Sequence, residues 1–200
     1  SQGAVDGERG FRTLLGTSVS RVEGDLIPQY LAELDFGFSL PLKNSSIWLR
    51  NAVGAADGAI DDEFANFYFG GFGNNYVDRG SVKRYREFYT MPGFELNEIG
   101  GQTFARTMLE WNLPPLRFER VGTPGFYLTW ARPSIFATHL TTNVDDSAIR
   151  REVQNLGIQV DFRITVLSRM NMTLSLGYAR GYGDNVIEDE DEFMVSLKVL

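Results

Sequence analysis

The chain has 200 residues and a mass of 22.5 kDa, the size of one domain or of a piece of a larger one. Having no cysteine, it has no disulfide framework, no thiolate zinc site and no cysteine nucleophile. With 19 Lys+Arg against 26 Asp+Glu, a net charge of -7 and a pI of 4.8, it lacks the dense basic face of a nucleic-acid binder.

The 15 Phe, 8 Tyr, 3 Trp and 21 Gly, with only 22% charged residues, make a profile that a membrane β-barrel has and some soluble sheets share. No window holds 18 consecutive apolar residues, so a transmembrane helix is not expected. Residues 1–11, SQGAVDGERGF, show no basic start followed by an apolar run. No signal peptide is expected there, which makes the chain a processed product or a fragment.

The hydrophobic period is two in most segments. A first strand is expected over 11–22. In the next, Tyr30, Ala32, Leu34, Phe36, Phe38 and Leu40 alternate with Leu31, Glu33, Asp35, Gly37 and Ser39, placing two carboxylates opposite the aromatics. Further strands are expected over 46–55, 64–72, 103–113 and 126–137. Pro114 and Pro115 read as the turn that ends a strand, and Pro124-Gly125 as the start of the next. The cleanest alternation sets Ile158, Val160, Phe162, Ile164 and Val166 against Gln159, Asp161, Arg163 and Thr165. A short link, Leu167 to Asn171, joins it to Met172, Leu174, Leu176 and Tyr178 as a hairpin. The last strand carries Phe193, Val195, Leu197 and Val199 on one face. The expectation is about nine strands and no helix. Strands of ~9 to 11 residues match a tilted bilayer crossing. Tyr30, Trp48, Trp111 and Trp130 fall near strand ends, where interfacial aromatic girdles form.

From residue 64 onward, FYFGGFGNNYVDRGSVKRY, ARTMLEWNLPP, VDFRITVLSRMNMTLSLGYARGY and EFMVSLKVL follow one another in an order and spacing. That order resembles the C-terminal barrel region of the bacterial surface antigen superfamily, which includes BamA-like barrel-assembly factors and two-partner-secretion transporters. The resemblance implies an all-β, antiparallel transmembrane β-barrel, with about eight to ten of its sixteen strands here. It also implies a long external loop, about residues 73–101, that folds into the lumen and ends in a V-R-G-F/Y motif. Here the matching stretch is Ser81-Val82-Lys83-Arg84-Tyr85. Lys83 stands where the family has Arg, Arg84 replaces its Gly, and Tyr85 keeps its aromatic. Glu110 matches a lumen-facing strand Glu, so Lys83 or Arg84 with Glu110 is the implied lock, because charge in a confined lumen needs a counter-charge. The family's Asp on the next strand is missing; Trp130-Ala131-Arg132-Pro133 stands there. Phe193, Val195, Leu197 and Val199 would form a seam strand, with a terminal Leu200 where the family has an aromatic. Counting strands back from the C-terminus makes the loops at about 73–101, 138–152 and 181–192 external, and also the short turn at 41–45.

Other chemistry has weaker signals. His139, the one histidine, has Ser134, Thr138, Thr141 and Thr142 nearby in sequence, but no G-x-S-x-G elbow. Asp184 and Glu188 to Glu192 form an acidic run lacking a calcium-loop pattern. Gly70-Gly71-Phe72-Gly73 is not followed by Lys-Ser/Thr, so it is a crowded strand exit and not a phosphate cradle. No catalytic residue, metal or cofactor is expected. By resemblance, the function would be inserting or translocating proteins at the bacterial outer membrane. The partners would be lipid, lipopolysaccharide, client polypeptides and periplasmic domains or subunits. The alternatives are a structural anchor for a periplasmic domain or complex, and a small lipid-modifying barrel using His139.

Overall fold

The computed structural model describes residues 7–22, 24–58, 62–73, 82–123, 125–167, 169–184 and 187–199. Ser81, Pro124 and Leu200, named in the sequence reading, lie outside them. The protein is all-β. Its strands are β1 (Gly10–Val22), β2 (Asp25–Ser39), β3 (Ser46–Ala56), β4 (Phe67–Phe69), β5 (Ile99–Gly101), β6 (Thr103–Asn112), β7 (Leu116–Thr123), β8 (Phe126–Thr142), β9 (Arg151–Val166), β10 (Met170–Tyr182) and β11 (Asp191–Val199).

One antiparallel sheet runs β1-β2-β3-β6-β8-β9-β10-β11, with β7 also paired to β8. β6 and β7 follow each other along the same side of β8, so the sheet is eight strands wide. It is not closed into a barrel: β1 and β11 are its two edges. With β4 and β5 set aside and β6 and β7 counted as one row, each strand of this sheet pairs with the next in chain order, and each pairing holds side chains of one face together.

Two segments differ from the sequence reading. Pro114 and Pro115 make no turn; they occupy the gap between β6 and β7, and the hairpin continues to Thr123↔Phe126. The register with β8 shifts by one residue across that gap, from Asn112↔Ser134 to Leu116↔Ala131. A strand interruption is where residues without an N–H donor are tolerated. Residues 64–72 are not a wall strand. Only β4 is extended there, and it pairs with β5 in a separate two-stranded sheet.

Removing that strand from the count moves the 40–45 turn to the same end as the turns at 124–125 and 167–169. The opposite end carries the 57–102, 143–150 and 183–190 connections, together with the tight turn between β1 and β2. We call these the turn end and the loop end.

The burial pattern is inverted relative to a soluble sandwich. On β9, Asn155, Gln159 and Asp161 are buried while Leu156 and Ile158 are exposed. The same parity carries across the sheet: Phe11, Leu15, Phe38, Leu49, Val53, Leu109, Trp111 and Leu176 are exposed on the outer face. Phe193, Val195 and Leu197 of the expected seam lie there too, at 80%, 75% and 55% exposure. Their partners are Tyr178, Leu176 and Leu174 on β10, and Val199 pairs with Met172. Trp48, expected at an interface, has the opposite parity. It lies over Gly37 on the inner face and donates its indole N–H to the carbonyl of Gly7 at 3.1 Å.

The inner face is covered by the 57–102 connection. Phe67, Phe69, Met91, Phe94 and Ile99 from this loop pack on Ala52, Phe104, Leu140 and Val153 of the sheet. A second cluster sets Phe72 and Tyr85 on Met108, Phe136 and Ala179. Gly70 is where the chain leaves β4, at φ +152, and a side chain there would meet the carbonyl oxygen of Glu95. Glycine is required by this close approach.

Candidate functional site

Alternation places Asp35 of β2, Arg50 of β3, Arg106 and Glu110 of β6, Arg132 of β8 and Asp161 of β9 on the inner face. Asp35 and Arg50 are direct cross-strand partners, and the guanidinium donates to the Asp35 carboxylate at 2.7 Å. The same guanidinium donates through Nε to Glu110 Oε2 at 2.9 Å. Glu110 is fully buried at the centre of the group.

The loop supplies the opposing charge. A single 3-10 turn over Arg84–Arg86 reverses the chain. Arg86 Nε donates to both oxygens of Glu110, at 3.2 and 3.0 Å, and its second nitrogen donates to Oε1. This is a bidentate arrangement, the strongest form of side-chain ion pair. The carboxylate of Glu110 is therefore shared by one guanidinium from the wall and one from the loop.

Lys83 pairs elsewhere than expected. It is 2% exposed, and its ammonium lies 3.6 Å from Asp161 on β9. Asp161 also accepts from Gln159 at 2.6 Å and Ser175 at 2.7 Å. Arg132 of β8 is directly opposite Asp161 and is buried. The pairing of Lys83 or Arg84 with Glu110 is corrected accordingly: Glu110 takes Arg86, Lys83 takes Asp161, and Arg84 is half-buried at the start of the 3-10 turn.

Tyr85 lies between these two pairs. Its ring stacks on Phe136 with centroids 4.1 Å apart and planes at 15°. Its hydroxyl donates to Ser134 at 2.9 Å, and Ser134 donates on to the carbonyl of Gln159. Burial, with the Glu110 carboxylate nearby, pushes the phenol well above its usual range. Arg106 donates to the carbonyl oxygen of Tyr85 at 3.0 Å, fixing the backbone of the turn. Thr90 donates to the same carbonyl at 2.8 Å.

A second anchor lies on the edge strand. The Glu192 carboxylate of β11 accepts from the amides of Phe72 at 3.1 Å and Gly93 at 3.0 Å. Two points of the connection 21 residues apart, Phe72 and Gly93, are thereby tied to one side chain. Of the acidic run, Asp184, Asp189 and Asp191 are engaged locally. They accept from the amide of Ile187, the amide of Gly183 and the hydroxyl of Tyr178. No group of three or more His, Asp or Glu able to hold a metal occurs among the described residues.

His139 is exposed on the outer face of β8 and lies 3.3 Å from the Thr141 hydroxyl. Ser134, Thr138 and Thr142 have the opposite parity and are buried on the inner face. The sheet itself therefore keeps the histidine apart from three of its four sequence neighbours. No protein-family model matches this chain, and no curated protein or solved structure matches it either.

Proposed function

We propose that the chain is the barrel region of a bacterial outer-membrane protein that inserts or translocates polypeptides, as its resemblance to the surface antigen superfamily implies. The observation that carries the membrane reading is the inverted burial of the sheet, with its apolar residues facing out and its charges facing in. On β9 the outer face is apolar from Leu156 through Val160 and Phe162 to Ile164, and polar at Gln154 and Glu152. Nine residues extend about 30 Å along a strand and cover about 23 Å of height at a 40° tilt. That matches the ~25 Å apolar band of an outer-membrane barrel. In water the same surface would be a large exposed apolar patch.

The translocation reading is supported by the loop. The family's lock is a cation and an aromatic from the loop tip against lumen acids, and Lys83–Asp161, Arg86–Glu110 and Tyr85 on Phe136 supply that chemistry. In this reading the loop braces one wall while β11, carrying Phe193, Val195, Leu197 and Val199, is the seam at which a client strand would leave laterally. The anchor alternative draws on the altered motif at Lys83 and Arg84 and on Trp130-Ala131-Arg132-Pro133.

Refolding decides the membrane half: a compact β species with heat-modifiable gel mobility is expected in detergent and not in plain buffer. A soluble folded protein in buffer would end it. The second half is tested in vesicles. Folding of an added outer-membrane barrel should run several-fold faster with the wild-type protein than with Arg86→Ala. Equal rates for wild type, variant and empty vesicles would favour the anchor.

A further inference from the structure

The edges β1 and β11 are complementary to each other. β1 runs toward the loop end and β11 away from it, so upright copies present them antiparallel. Their faces also correspond: Phe11, Leu15 and Val19 point out on β1, as Phe193, Val195 and Leu197 do on β11.

The register between them is nearly determined. Following directly paired residues from Gly10 across the sheet leads through Gly37 and Glu110 to Glu192. That path starts at the turn end of β1 and finishes at the loop end of β11, so joining the edges requires a stagger. Keeping every β11 residue against β1 and matching the faces leaves two registers, with either Val19 or Arg21 opposite Asp191. The first sets Lys198 against Arg12 on the same face, a like-charge pair. The second sets Arg21 against Asp191, Val19 against Phe193 and Leu15 against Leu197. It also shifts the residue opposite Glu192 from Gly10 to Ser20, a ten-residue offset across eight strands. This corresponds to a strand tilt of about 41°, within the ~35–45° of closed barrels.

The sheet does not have room to make this seam with itself. An eight-stranded barrel has an interior just wide enough for side chains. Here the loop backbone enters far enough for Tyr85 to bond Ser134, eight residues below the loop end of β8, roughly 20 Å down a tilted strand. We propose that the seam joins two copies of this chain, β1 of each to β11 of the other, giving a sixteen-stranded ring that holds both loops. The proposal rests on the membrane reading above.

The chain has no cysteine, so engineered ones report cleanly. Val19→Cys and Phe193→Cys proteins, refolded together in detergent and oxidised, should give a covalent dimer. Leu15→Cys with Leu197→Cys is a second in-register pair, and Thr17→Cys with Phe193→Cys an off-register control expected to be several-fold weaker. The double variant carrying Val19→Cys and Phe193→Cys should run only as a dimer. A disulfide within one chain of that variant would show the sheet closing on itself. Absence of any bond in both pairs, in protein that retains heat-modifiable mobility, would show that other strands cover the edges. Either result overturns the two-copy seam and leaves the membrane reading standing, whereas loss of heat-modifiable mobility in the wild type would overturn both.

Discussion

Glu110 has no solvent to fall back on, and this sets the energetics of the inner face. A buried carboxylate is tolerable because Arg50 and Arg86 both donate to it; removing one member of such a group leaves the others uncompensated, at a cost of about 3–5 kcal/mol. Glu110→Gln should therefore release the loop, read as a sharp rise in protease cleavage between residues 62 and 102. A double-mutant cycle with Arg86→Met should show a coupling of at least about 1 kcal/mol. Additive effects would mean that the two residues do not act together.

Tyr85 tests the same site by pH. Its phenol is raised by burial, so the neutral form is favoured in the fold; that contribution is fully present below about pH 10 and lost as pH rises through the folded value. Among the 8 tyrosines, Tyr85 should ionise last in an ultraviolet titration compared with Tyr85→Phe. Co-titration with the exposed tyrosines would contradict its placement. Tyr85→Phe itself should cost only about 1 kcal/mol, the worth of the Ser134 hydrogen bond.

At the scale of the element, alternation was legible and continuity was not. A period of two over 158–166 states which side chains share a face, and Asp161 stands on the polar side in the sequence already. What could not be read was which cation reaches it. The 3-10 turn at Arg84–Arg86 swings Arg86 to Glu110 and leaves Lys83 to Asp161, and only the folded path of the loop brings those pairs together. The prolines misled for a local reason: Pro114 and Pro115 carry turn chemistry but occupy an interruption in a strand that goes on to Thr123. Phe67 and Phe69 misled because aromatic alternation signals a strand without saying which sheet it joins; here it joins β5 over the inner face.

Glu192 ties that inner segment to the edge. Glu192→Ala removes the acceptor for the Phe72 and Gly93 amides, which should then exchange hydrogen at least tenfold faster. Unchanged protection would show that β4 and β5 hold the segment without it.

For the whole molecule, the question is what solvent the outer face meets. A cation at mid-band, as in Leu176→Arg, should cost about 2–4 kcal/mol of stability in a bilayer, and much less on a surface facing water. The most direct test reads the solvent position by position. Nitroxide labels on single cysteines from residue 156 to 162, in lipid vesicles, should be accessible to oxygen and shielded from a water-soluble nickel chelate at 156, 158, 160 and 162. The intervening positions should show low access to oxygen. High chelate access at the even positions would place the apolar face in water and contradict the account.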